Sequence, residues 1–91
     1  MDVIKEFERA EALFEEDKFV EALEIFKKIA KAKNDPDALY YIGLIYFEGY
    51  GVDKDEELGI KYWKKADKAG SLDAKYALGS LTQRTSIFCK E

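Results

Sequence analysis

Histidine is absent from this 91-residue chain, and cysteine and proline occur once each, as Cys89 and Pro36. Without histidine, the commonest general base and metal ligand near neutral pH is missing. A single thiol can form neither an internal disulfide nor a cysteine-based zinc site. Cys89, Ser71, Ser80 and Ser86 have no base placed for them by the pattern, so nucleophilic catalysis has no visible machinery. No apolar run approaches the ~20 residues that a membrane span requires, and the acidic, interrupted N-terminal stretch is unlike a signal-peptide core. Cations are outnumbered, with 15 Lys and Arg against 19 Asp and Glu and a formal net charge of −4. Nucleic-acid binding draws on clustered cations that release counterions, so this balance argues against it. The expectation is no enzyme, no cofactor, no metal, and neither a nucleic-acid nor a membrane partner. The chain as given is expected to be soluble, and cytoplasmic rather than secreted.

What is present points to helix. Hydrophobic residues make up 47% and charged residues 37%, a composition that folds rather than remaining disordered. One small domain is expected, burying roughly 60–65% of its unfolded surface and modest in stability. Val3, Ile4, Phe7, Ala10, Leu13 and Phe14 recur at intervals of three and four, as do Phe19, Ala22, Leu23, Phe26, Ile29 and Ala30. This spacing predicts helices over 2–16 and 18–33 with a short turn near Asp17. Asp35-Pro36 reads as an N-cap followed by proline at the first helical position, opening a third helix that runs to about Glu48. Asp53 or Asp55 caps a fourth ending near Ala69, with Gly70 as its left-handed terminator. Gly59 inside that helix costs about 1 kcal/mol against alanine, which close approach of the paired helix would explain. Ser71 or Asp73 opens a fifth helix to about Thr82, and the tail TSIFCKE has no clear period.

The chain also repeats itself. DALYYIGLI (37–45) aligns with DAKYALGSL (73–81) at an offset of 36, with identities Asp37/Asp73, Ala38/Ala74, Tyr40/Tyr76 and Gly43/Gly79. FKKIAKA (26–32) aligns with WKKADKA (63–69) at an offset of 37, whereas Ala10, Phe14 and Glu15 fall on Gly43, Phe47 and Glu48 at 33. The difference leaves four extra residues after Glu48, inside which lies GYGV. Helix pairs of about 34 residues, each unable to bury its apolar face alone, stack as a solenoid. One repeat domain is therefore expected over 1–91, with units at 3–36 and 37–72 and an incomplete third unit with a capping tail at 73–91.

Residues 37–81 resemble Sel1-like repeats: Ala38, Ile42-Gly43, Tyr46, Gly49, Gly51-Val52, Asp55, Ala66 and Gly70 stand where that pattern places them. The departures are Gly59 for the usual alanine, tryptophan one place late at Trp63, Asp67 for the second alanine, and a third unit without the glycine loop. Residues 3–36 resemble a tetratricopeptide repeat, with Ala10, Leu13, Phe19, Ala22 and Phe26 at its packing positions and Pro36 displaced by two. These resemblances imply an all-α, right-handed superhelix of antiparallel helix pairs, about five helices and a C-terminal tail. They also imply a protein-recognition scaffold or adaptor.

GYGVDKD (49–55) invites other readings. As a phosphate loop it has no Gly-Lys-Ser/Thr, and Asp53 and Asp55 would repel an anion. As a calcium loop it puts Leu58 at the turn glycine and Lys64 at the closing glutamate. It reads instead as an inter-helix connection whose glycines supply unusual backbone angles. The lysine clusters 27, 28, 31, 33 and 61, 64, 65, 68 read as solvated helix faces.

In tetratricopeptide-like arrays the first helix of each pair lines the concave face, and the resemblance carries that role to Phe7, Glu11, Phe14 and Glu15, to Tyr40, Leu44, Phe47 and Glu48, and to Tyr76, Ser80, Gln83 and Arg84. Phe14 and Phe47 also fit buried positions; Tyr40 and Tyr76, at one register, read as a surface ladder. Carboxylate-gripping arrays place Lys, Asn and Arg where this chain has Phe7, Glu11 and Tyr41. The expected partner is therefore a protein or peptide with apolar or aromatic side chains and some basic character, bound at micromolar strength or weaker. The alternative is a structural piece of a longer array, or an engineered mini-solenoid, whose C-terminal end supports weak homo-oligomerisation.

Overall fold

A computed structural model describes residues 2–89, with side chains described as far as Leu81. Its elements are α1 (Val3–Glu15), α2 (Phe19–Lys33), α3 (Pro36–Glu48), α4 (Glu56–Ala69) and α5 (Leu72–Cys89), with no strand among the described residues. The fold is all-α, as the periodicity predicts. The helices start where side-chain oxygens accept the first free N–H groups: Asp2 from Lys5, Asp35 from Asp37 and Ala38, Asp55 from Leu58, and Ser71 from Ala74. Of the residues that could have capped α4 and α5, Asp55 and Ser71 do so. Lys18 precedes α2 without a side-chain cap; the turn before it is closed instead by the Lys18 N–H donating to the Leu13 carbonyl.

α5 is longer than the expected end at Thr82. After Gly79 the chain contains neither glycine nor proline, and its β-branched residues tax a helix only slightly. The backbone of the tail therefore continues α5 through Cys89. The side chains that would act as a cap lie outside the described residues.

Two clusters form the core. Ala10, Ala22, Phe26, Ile29, Ala38, Ile42 and Ile45 are completely buried in the first, which joins α1, α2 and α3. Leu39, Trp63, Ala66 and Ala74 form the second, which joins α3, α4 and α5. Adjacent helices thus share their cores in chain order along a body of 50 × 25 × 17 Å.

The tightest junction is between α3 and α4. A Cβ at Gly59 would lie 2.7 Å from both the Gly43 carbonyl oxygen and Phe47 Cβ, and one at Gly43 would lie 2.8 Å from the Gly59 carbonyl oxygen and run into the Trp63 indole. The glycine that weakens α4 locally is what lets the backbones meet. Trp63, filling the space beside Gly43, donates its Nε1–H to the Tyr40 carbonyl at 3.1 Å.

The connection between α3 and α4 does more than turn. Gly49 (φ 74°) and Gly51 (φ 71°) occupy the left-handed region, and the Asp55 N–H donates to the Tyr46 carbonyl at 2.8 Å, closing the loop. This geometry delivers Tyr50 onto Phe19 at the start of α2, with ring centroids 4.8 Å apart and planes 18° from parallel. Gly51 itself lies against Phe19 and Val20, and Tyr50 and Val52 pack on the first core cluster. The α3–α4 loop therefore clasps the start of α2 and Phe14 of α1.

Candidate interaction surface

Tyr41 is the centre of the α1/α3 surface. Its ring stacks on Phe26 at 4.6 Å and 6°, and meets Phe7 and Phe14 edge-on at 5.9 and 5.2 Å. Its hydroxyl donates to Glu11 Oε2 at 3.0 Å. Burial, and then the Glu11 carboxylate, push the Tyr41 hydroxyl pKa up to about 12. Phe7, Glu11 and Phe14 are thus brought together by Tyr41, which the comparison with carboxylate-gripping arrays names beside Phe7 and Glu11 but the concave-face assignment leaves out. The adjacent doublet Tyr40-Tyr41 was the available signal, because consecutive helical residues point about a quarter-turn apart and can serve two neighbours.

Tyr40 does serve the other side. Its ring lies over Trp63 at 6.2 Å and touches Tyr41 edge-on at 5.8 Å, while Phe47 stacks on Trp63 at 4.8 Å. Phe7, Tyr41, Tyr40, Trp63 and Phe47 form a continuous chain of rings across α1, α3 and α4. Burial, followed by the charge of Asp73, raises the Tyr40 pKa. Phe14 and Phe47 are half-buried: one is wedged among Phe19, Tyr41 and Tyr50, the other packed on the second core. Leu44 is also half-buried against the second core, and Glu15 and Glu48 are exposed.

Tyr76 and Ser80 stand apart. Tyr76 is 74% exposed and lines, with Lys75, Gly79 and Ser80, a shallow depression of about 390 Å³. Among the described residues no ring contact joins it to Tyr40. The two tyrosines share a register but not surroundings, because Tyr40 leans on Trp63 and the described residues offer Tyr76 no such ring. The Gln83 and Arg84 side chains lie outside the described residues.

The N-terminal halves of α1 and α3 border a cleft of about 350 Å³. Val3, Ile4 and Phe7 form its apolar side, with Ile4 73% exposed, and Glu8, Glu11, Asp35 and Asp37 edge it. Partial burial, with Asp35 and Asp73 nearby, raises the Asp37 pKa. Neither ion pair among the described residues, Lys18–Glu16 or Lys54–Glu56, neutralises this acidic edge.

The glycine-mediated helix crossing, the left-handed loop glycines and the Asp55 cap all fall within one stretch, and residues 36–71 match the family model for the Sel1 repeat. The chain carries a Sel1 repeat. Its first helix is α3, its loop carries Tyr50, and its second helix is α4. Sel1 repeats generally mediate protein–protein interaction, and proteins built from them are typically non-enzymatic scaffolds. No solved structure matches the chain. No group of metal-binding side chains occurs among the described residues, and no helix there is long and apolar enough to cross a membrane.

Proposed function

We propose that the chain is a scaffold or adaptor module that binds a peptide segment along the α1/α3 face. The segment carries an apolar or aromatic anchor flanked by basic residues. The observation behind this reading is the cleft beside Phe7: an apolar side that includes the exposed Ile4, edged by four carboxylates, with Glu11 held in position by the Tyr41 hydroxyl. The anchor would enter between Val3, Ile4 and Phe7. Lysine or arginine on either side would meet Glu8, Glu11, Asp35 and Asp37. Tyr40, Leu44, Phe47 and Glu48 extend the face along α3, and Phe14 continues it along α1.

Amide chemical-shift mapping with a capped Lys-Lys-Phe-Lys-Lys peptide tests this reading. Shifts are expected at Ile4, Phe7, Glu11 and Asp37, with a micromolar or weaker Kd because the cleft is small. Glu8→Gln combined with Glu11→Gln should weaken binding by about tenfold. Tyr40→Ala tests how far along α3 the peptide runs. Perturbations confined to the lysine-bearing helices α2 and α4 would sink the assignment.

A second reading rests on α5, where Leu72 and Tyr76 are 66% and 74% exposed and a Cβ at Gly79 would meet nothing within 4 Å. In this reading the C-terminal end is a stacking surface for another repeat or another copy. Sedimentation distinguishes the two, since self-association through α5 requires a concentration-dependent mass that Tyr76→Lys abolishes.

A further inference from the structure

On the other side of the stack, α2 and α4 border a second cleft of opposite character. It measures about 340 Å³; Ala30 and the Tyr62 ring supply its accessible apolar lining, with Leu39 and Ile42 buried beneath, and Lys27, Lys31 and Lys65 surround it. Segments 27–33 and 61–68, the C-terminal parts of the two helices, contain eight lysines and one carboxylate, Asp67. Cations there partly serve the helix ends, since Lys31, Lys33 and Lys68 lie in last turns. Lys27 and Lys65 lie about a turn or more before those ends and have a different setting. Lys27 Nζ sits 5.3 Å from the centroid of the Tyr46 ring, and Lys65 Nζ 5.3 Å from that of Tyr62. Tyr46 and Tyr62 in turn stack on each other at 6.1 Å and 12°. Two ammonium groups are thereby held over one pair of rings, and neither ion pair among the described residues involves them or Lys31.

We propose that this cleft is a second docking site, for an acidic peptide segment that carries an aliphatic side chain between its carboxylates. The side chain packs on Ala30 and the Tyr62 ring, above the buried Leu39 and Ile42, and the carboxylates meet Lys27, Lys31 and Lys65. The lining selects a peptide over a polyphosphate or nucleic acid. Its bottom is apolar, it offers no guanidinium fork, and the α2 end at Asn34 presents the negative pole of a helix to any dense anionic charge. The charge pattern makes the molecule two-sided: the α1/α3 cleft is edged by carboxylates, this one by ammonium groups. One chain could then hold a basic and an acidic segment at once, as an adaptor requires.

The experiment titrates the full chain with a capped Glu-Glu-Leu-Glu-Glu peptide and follows backbone amides. Shifts are expected at Lys27, Lys31, Tyr62 and Lys65, not at Phe7 or Glu11. Lys31→Glu with Lys65→Glu, both at exposed positions, should weaken binding at least about tenfold. Raising the salt should weaken it progressively. Replacing the leucine by glycine should also weaken it; equal binding would remove the role of the apolar lining and overturn the proposal. It is equally overturned by absence of binding, by shifts only on the α1/α3 face, or by inorganic phosphate or single-stranded DNA giving the same shifts more tightly. Shifts at these amides on concentrating the protein alone would assign the cleft to a second copy and overturn it too. Because the probes and faces differ, failure here leaves the α1/α3 reading intact, and the reverse also holds.

Discussion

Tyr41 combines the two kinds of interaction that hold the α1/α3 surface, and they can be separated. Tyr41→Phe keeps the stacking on Phe26 and deletes the hydrogen bond to Glu11, so about 0.5–1.5 kcal/mol of stability should be lost in denaturant unfolding. The pH dependence follows from the same geometry. The folded state holds the phenol proton up to about pH 12, against 10.0 for the unconstrained group. Its contribution is therefore fully present below pH 10.0 and is lost as the pH rises through about 12. A phenolate absorbance titration should show a step near pH 12 that Tyr41→Phe removes. A titration that Tyr41→Phe leaves unchanged near pH 12 would contradict this. The importance of Tyr41 was only half legible in the sequence. Repeat alignment marks Tyr40 through its partner Tyr76, but Tyr41 aligns with Ala77 and so stands outside the repeated pattern that identified the other positions.

At the scale of elements, Gly59 and Gly79 separate what a helical glycine costs from what it permits. Gly59→Ala would place a methyl group 2.7 Å from the Gly43 carbonyl oxygen and Phe47 Cβ, both of which are fixed by helix backbone. Moving α4 off α3 should cost about 1–3 kcal/mol despite alanine's better helix propensity. Gly79→Ala meets nothing within 4 Å and should stabilise the chain by about 0.5–1 kcal/mol. Thermal melts of the two variants should shift in opposite directions. The repeat offset places Gly43 and Gly79 in one register, and the composition of α4 makes Gly59 conspicuous. Only the packing distinguishes them, because α4 covers Gly43 and nothing described covers Gly79. The loop carries a parallel lesson. Its glycines announce a left-handed connection, but Tyr50 has no periodic pattern to say where its ring lands. Tyr50→Ala removes the stack on Phe19 and the edge contact with Phe14, and should cost about 2 kcal/mol in the same melts, although Tyr50 is outside every helix.

Across the whole molecule, stability should follow the order of stacking. α3 supplies Ala38, Ile42 and Ile45 to one core cluster and Leu39 to the other, so it cannot open without exposing both. Among its described side chains α5 supplies one fully buried residue, Ala74, with Ala77, Leu78 and Leu81 partly buried beside it. In an array whose units touch chiefly their neighbours, free energy of opening is set by the number of interfaces an element closes. Native-state hydrogen exchange should therefore find the α3 amides protected up to the global unfolding free energy. The amides of residues 75–81 should exchange through a smaller opening, with α1 between the two because Tyr50 and Tyr41 both hold Phe14 of α1 by edge contacts. Tyr50→Ala should bring the protection of α1 closer to that of α5 while leaving the Gly43–Gly59 crossing protected. Uniform protection from α1 to α5 would instead mean that the two core clusters unfold as one cooperative unit.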